Sequence, residues 1–163
     1  MTLVWARVDQ KLIHGQVSVA WTPHLNVDSI VVSDHNAAED ARLQKIMLLG
    51  LPPEIKSAAF VEPDGLTAAL EAADNAGRRV LLLFKDLDGV MAAIEAGLSL
   101  NRLNLGNQAY PPHSPAVTQL ADTFFASRSD LDGLAQLTAA GTELILQSLP
   151  TSKAVRWTAA GLK

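Results

Sequence analysis

The 163-residue chain has no cysteine. That excludes a disulfide scaffold, a cysteine-ligated zinc and a thiol nucleophile. No apolar run approaches the ~18 residues of a membrane-spanning helix. Arg7, Asp9 and Lys11 interrupt the opening MTLVWARVDQK where a signal peptide needs an unbroken apolar core. The chain therefore reads as soluble and cytoplasmic, not itself transmembrane. Basic residues are too few to balance the acidic ones, 13 against 17, for a formal net charge of −4. An acidic body argues against nucleic acid as the main partner. Only Lys153, Arg156 and Lys163 carry charge after Glu143. That short basic tail is either a solvated end or an aid to docking on something acidic. Walker A and GxGxxG sequences are missing, so nucleotide binding has no anchor. His14, His24, His35 and His113 show neither i,i+4 nor HxH spacing, and no metal or other cofactor is expected.

What is present is the balance of a globular domain. Hydrophobic residues make up 48% and charged residues 18%, which argues against disorder. The length fits one domain, residues 1–163. No repeat, low-complexity block or linker divides it. Apolar β-type runs fall at residues 3–8, 27–33, 57–61, 80–84 and 103–105, with later candidates at 117–125 and 142–147. VLLLF at 80–84 is the clearest, short and continuous as a strand covered on both faces should be.

Helical patterns lie between the runs. Asn36 to Glu39 reads as a capping box before Leu43, Ile46 and Met47. Leu66, Leu70 and Ala73 mark a second helix. Asp88 reads as the cap of a third, and Ser129 as the start of a fourth that ends at Gly141. This alternation predicts an α/β fold: one doubly wound, mainly parallel sheet of about seven strands with helices on both faces. The proline-rich YPPHSP at 110–115 breaks the alternation, so the strand after it is expected to run antiparallel or at an edge. Trp5, Trp21, Phe60, Phe84, Phe124 and Phe125 read as core or interface.

In an open parallel sheet, ligands collect beyond the carboxyl ends of the strands. The loop after the first strand reads Asp9-Gln-Lys11-Leu-Ile-His14-Gly15-Gln16-Val17. A helix is expected to begin near His14, with Val17 and Trp21 on one face and Pro23 ending it. A histidine, a cation and a glycine would then share a helix N-terminus, whose free N–H groups suit phosphate. A neutral imidazole nitrogen can accept a phosphoryl group covalently. Spacing alone, however, favours an ordinary satisfied or exposed histidine. Asp9 either orients Lys11 or the His14 ring, or is a strand-end turn residue. Gln16 is either a phosphate or partner contact or an exposed helix residue. Arg7 is either a cation near the loop or an outward-facing strand residue.

The segment RVDQKLIHGQV at 7–17 closely resembles the active-site loop of the IIB component of the mannose/fructose/sorbose family of sugar phosphotransferase systems. The likeness continues through Trp21, Pro52-Pro53, the VLLLF strand, Asn104-Leu-Gly106 and Pro150-Thr151. The family implies a seven-stranded doubly wound domain. It also implies a phosphocarrier histidine, which maps to His14, with the phosphate on Nδ1. The donor would be a phosphorylated IIA protein and the acceptor a hexose-type sugar arriving through the IIC/IID membrane complex, placing the protein peripherally at that complex. Lys11 would stabilise phosphate charge, Asp9 would orient the site, and Gly15, Gln16 and Arg7 would help hold phosphate. Two positions depart from the pattern. Lys11 stands where the family usually has arginine, which keeps the charge but not a planar fork. Asn107 stands where glycine is common.

Two rival readings follow from the residues. A regulatory phospho-relay protein without sugar transfer is motivated by Lys11. A haloacid-dehalogenase-type phosphatase is motivated by VLLLFKDLDGV at 80–90, with Asp86 as nucleophile and Asp88 as acid/base around Mg²⁺. Against the phosphatase, Lys85 separates the strand from Asp86, and too little chain follows to complete such an enzyme. Two aspartates at a helix N-terminus explain the motif without it.

Overall fold

The computed structural model describes residues 2–109 and 116–162. The YPPHSP loop with His113, and Lys163 of the basic tail, lie outside the described residues. The strands are β1 (Leu3–Asp9), β2 (Ser29–Ser33), β3 (Ser57–Val61), β4 (Val80–Phe84), β5 (Arg102–Asn107), β6 (Val117–Ala121), β7 (Phe124–Ser127), β8 (Glu143–Leu146), β9 (Val155–Thr158) and β10 (Gly161–Leu162). The helices are α1 (Thr22–Leu25), α2 (His35–Glu39), α3 (Ala41–Leu49), α4 (Leu66–Asn75), α5 (Leu87–Glu95) and α6 (Arg128–Ala139). A π-helix at Gln16–Trp21 runs directly into α1.

The main sheet has the order β10-β9-β8-β5-β1-β4-β2-β3. Six neighbouring strands, β8 to β3, are parallel, while β9 and β10 run antiparallel at one edge. Strand β4 shows how the sheet is held. Val80, Leu82 and Phe84 face one core, which α4, α5 and α6 cover through Leu66, Val90 and Leu134. Leu81 and Leu83 face a second core with Val17, Ala37 and Met47. All five β4 residues are fully buried, so the continuous apolar run follows from having helices on both sides. Each such side chain contributes about 1.5–3 kcal/mol on burial.

The doubly wound sheet is as expected, with seven strands of four or more residues joined by the two-residue β10. Their identity differs in one place. The run at 117–125 is split into β6 and β7, an antiparallel hairpin outside the main sheet. It joins the end of β5 through a bridge between Gln108 and Phe124 and through the Thr123 hydroxyl, which donates to Gly106 C=O at 2.7 Å. The seventh main-sheet strand is instead β9, whose Trp157 packs into the first core.

Three caps also differ from expectation. Asp34, not Asn36, caps α2, and Asp40 starts a separate α3. Asp86, not Asp88, caps α5 through Gly89 N–H at 2.8 Å. Ser127 and Asp130 form the capping box of α6, two residues before Ser129. In each case the residue nearer the strand has the extended backbone from which a side-chain oxygen reaches back to the first turn.

Candidate functional site

The chain leaves β1 toward the α1–α3 face of the sheet, and leaves β5 toward the hairpin on the opposite face. The two strands are neighbours, so their carboxyl ends flank the crevice where an open α/β sheet receives ligands. The loop after β1 enters this crevice. It turns at once, Leu12 N–H donating to Asp9 C=O at 2.9 Å. Leu12 takes a left-handed φ of 56° while its side chain is buried. A non-glycine residue there stores roughly 1–3 kcal/mol of strain. Burial of Leu12 and Ile13 in the second core offsets this and anchors the loop.

His14 follows, and its carbonyl accepts the N–H of Ser18 at 2.9 Å. The helix expected there exists, but its first part is wide. Thr22 N–H reaches five residues back to Val17, and the Thr22 hydroxyl takes the Ser18 carbonyl at 2.8 Å. Pro23 explains the widening: it has no N–H, and its ring would crowd the carbonyl four residues earlier. Pro23 therefore does not end the helix. It lies in the first turn of α1, and the end comes at left-handed Asn26.

Asp9 is the hub of the site. It is wholly buried, and its two oxygens are divided. Oδ2 accepts Arg7 Nε at 3.1 Å and lies 3.0 Å from Arg7 Nη2. Oδ1 accepts the Lys11 main-chain N–H at 3.1 Å and faces His14 Nε2 at 3.0 Å. The contact does not meet hydrogen-bond geometry and is electrostatic. Nε2 has no access to solvent. The 18% exposure of the side chain therefore belongs to its other edge.

Arg7 is corrected from a phosphate ligand to an internal strut. It is completely buried. Besides Asp9, Nη1 donates to Asn104 Oδ1 at 2.6 Å and to Gln147 C=O at 3.0 Å, and Nη2 to Ser148 C=O at 2.9 Å. Its Cζ lies 4.9 Å from the Trp21 ring centroid, and Trp21 Nε1 donates to the same Ser148 carbonyl at 2.9 Å. Burial lowers the Arg7 pKa from its ordinary value, and Asp9 opposes that. Gly106 has a reason in the same place: a Cβ there would overlap the Arg7 guanidinium.

The remaining expected residues surround the pair. Lys11, Gly15 and Gln16 are exposed. Among the described residues, apart from its chain neighbours, nothing lies within 4 Å of where a Gly15 Cβ would be. Asn107 sits next to Asp9 in the β1–β5 register, and its carbonyl accepts Gln10 N–H at 2.8 Å. Trp21 is buried, as its reading as core or interface expects; Asn104, Ser148 and the stacking of Trp21 on Arg7 have no such signal in the sequence. Only the NLG and tryptophan likenesses marked their neighbourhood.

Asp86 and Asp88 do not join this cluster. Asp86 is spent on the α5 cap. Asp88 has a raised pKa from partial burial, with Asp86 and Asp130 adding to it. His35 lies on the surface between Glu62 (2.7 Å) and Glu39 (3.5 Å), which raise its pKa. Among the described residues, no helix is long and apolar enough to cross a membrane.

The chain resembles known proteins along nearly all its length. A family model described as "PTS system sorbose subfamily IIB component" matches residues 3–162. The mannose-specific EIIAB component of Escherichia coli K12 is 32% identical over 93% of this chain and 46% of its own length. The chain thus spans about half of that relative. The N-acetylgalactosamine-specific phosphotransferase enzyme IIB component 2 of the same strain is 29% identical over 94% of both chains. The solved structure of manxB from Thermoanaerobacter tengcongensis superposes with a TM-score of 0.84 at 28% identity, covering 97% of this chain and 93% of that one. A buried aspartate beside a histidine in the loop after β1, on a doubly wound sheet, thus sits in a chain that belongs to the sorbose-subfamily IIB components of the sugar phosphotransferase system.

Proposed function

We propose that the protein is a phosphocarrier in which His14 takes a phosphoryl group from a phosphorylated IIA protein and passes it to a sugar delivered by IIC/IID membrane components. The observation that carries this reading is His14 itself: Nε2 is shielded and 3.0 Å from Asp9 Oδ1. A carboxylate there favours the tautomer with the proton on Nε2. Nδ1 then holds the free electron pair and is the nucleophile.

In the first step Nδ1 attacks phosphorus in line with the donor's N–P bond. That bond breaks, and its electron pair stays on the donor imidazole. The new imidazolium charge on His14 is balanced by Asp9. In the second step a sugar hydroxyl oxygen attacks phosphorus, the hydroxyl proton is released, and the N–P pair returns to Nδ1. Phosphoryl transfer needs alignment and charge stabilisation more than covalent help. Lys11 supplies a mobile charge for the equatorial oxygens, and the open space beside Gly15 admits them. Gln16, exposed on the next turn, is placed to contact phosphate or partner. The protein works in the cytoplasm, docked peripherally on the membrane components.

The test is transfer from a phosphorylated IIA protein of this family. The wild type should gain a phosphate that is labile in acid and stable in base, and His14→Ala should gain none. A His14→Ala protein that still accepts phosphate would refute the assignment.

A further inference from the structure

We infer that Asn104 is a positioning residue for the reaction at His14, acting through Arg7 and Asp9. The inference rests on the phosphocarrier reading. Asn104 sits in β5, two positions before Gly106, and is completely buried. Its amide has one workable orientation. Oδ1 receives Arg7 Nη1 at 2.6 Å, while Nδ2 donates to the carbonyls of Ile145 at 3.2 Å and Gln147 at 3.1 Å. A flipped amide would set an NH₂ against the guanidinium and an oxygen against two carbonyls. The bond to Arg7 is short and charge-assisted, the stronger class of hydrogen bond.

This fixes how the guanidinium is rolled. With Nη1 held toward Asn104 and Gln147, and Nη2 toward Ser148, the Nε–Nη2 side faces Asp9. Trp21 lies across the guanidinium and shares the Ser148 carbonyl. Asp9 Oδ2 is thereby tied down, so Oδ1 is the oxygen left for the Lys11 N–H and His14 Nε2. Three neighbouring strands, β1, β5 and β8, thus meet in one hydrogen-bonded chain that ends at Asp9, whose Oδ1 lies 3.0 Å from the imidazole Nε2. Asn104 touches no reacting atom. Its effect on His14 passes only through the aim of Asp9.

The experiment has two readouts that a purely structural residue would not move. The first is the His14 tautomer in the unphosphorylated protein, from ¹⁵N shifts of the imidazole. The wild type should be mainly protonated on Nε2. Asn104→Ala should shift the population toward the other tautomer. The second is a double-mutant cycle on the rate of phosphate acceptance, using phosphoramidate as a small nitrogen-bound phosphoryl donor. Asn104→Ala alone should slow acceptance roughly ten- to hundredfold, the effect of a misplaced reacting group. In an Asp9→Asn background the same substitution should add almost nothing, because the link it acts through is already cut.

Asn104→Asp is the second variant. It keeps the shape and the acceptor for Arg7 but divides that cation between two carboxylates, and it should show the same tautomer shift. An unchanged tautomer in a folded variant, or fully additive slowing in the cycle, overturns the inference. So does loss of fold in both variants, which would make Asn104 a folding residue. The tautomer measurement needs no phosphate donor. If the wild type takes no phosphate on His14, the phosphocarrier reading falls while the link from Asn104 to His14 is still decided.

Discussion

Strands β1 and β4 are neighbours, and each delivers an aspartate to the same edge of the sheet. The two aspartates have opposite fates. Asp86, after β4, turns its oxygen onto Gly89 N–H of the helix it begins. Its partner lies three residues away, and the motif is complete within itself. Asp9, at the end of β1, is buried and shared among Arg7, the Lys11 main chain and the His14 ring. Arg7, which ties down its Oδ2, is in turn held by Asn104 of β5 and by Ser148 after β8. A carboxylate at a strand end is thus a cap when local backbone satisfies it. It becomes site chemistry when the cation that ties it is held from across the sheet and its free oxygen is aimed at another titratable group.

Removing the reacting group gives the largest expected effect: His14→Ala should eliminate phosphate acceptance from a phosphorylated IIA protein, read by acid-labile incorporation. Next is the hub. Asp9→Ala leaves the Arg7 guanidinium buried without its counter-charge and should destabilise the fold by about 3–5 kcal/mol in urea titration. A loss below about 1 kcal/mol, the scale of a cap replaced by another capping residue, would place Asp9 among ordinary turn residues. Lys11→Ala should slow transfer by about tenfold or more, the scale of losing an electrostatic donor. Lys11→Arg should retain most of the rate, and an unimpaired Ala variant would remove Lys11 from the mechanism.

The other side of the comparison should barely respond. Asp86→Asn with Asp88→Asn should leave transfer intact, even in excess chelator with a donor already phosphorylated. Its stability loss should stay below about 1 kcal/mol, because asparagine also caps well. Transfer abolished in a folded double variant would move the chemistry to β4 and favour the phosphatase.

The smallest effect is at His35. Its raised pKa means the folded state binds the proton more tightly than the unfolded chain. The staple to Glu62 and Glu39 is fully present below about pH 6.5 and is lost as pH rises through the raised value. The difference in Tm between wild type and His35→Gln should shrink across that interval, and a difference independent of pH would contradict the staple.

Much of this comparison was legible in the sequence. Continuous apolar runs such as VLLLF gave the central strands, and RVDQKLIHGQV gave the loop that matters. Strand β9 was missed because VRWT is only four residues, too short for period-two alternation to stand out. The hairpin reads as one run because the turn at Asp122-Thr123 carries neither glycine nor proline. The caps lie two residues before the expected ones because several capping residues stand close together. The left-handed Leu12 had no signal, since leucine rarely takes that conformation and tertiary burial imposes it. The interior of the site was least visible. Arg7 is separated by 97 residues from Asn104 and by 140 from Gln147, and only folding brings them together.

The central claim is that His14 is the residue that carries the phosphate. The direct measurement is to phosphorylate the wild-type chain with a phosphorylated IIA protein, digest it at neutral to basic pH, and locate the phosphate by tandem mass spectrometry. The account predicts phosphate on His14 and on no other residue. Phosphate on Asp86, or on His24 or His35 with His14 unmodified, would contradict it.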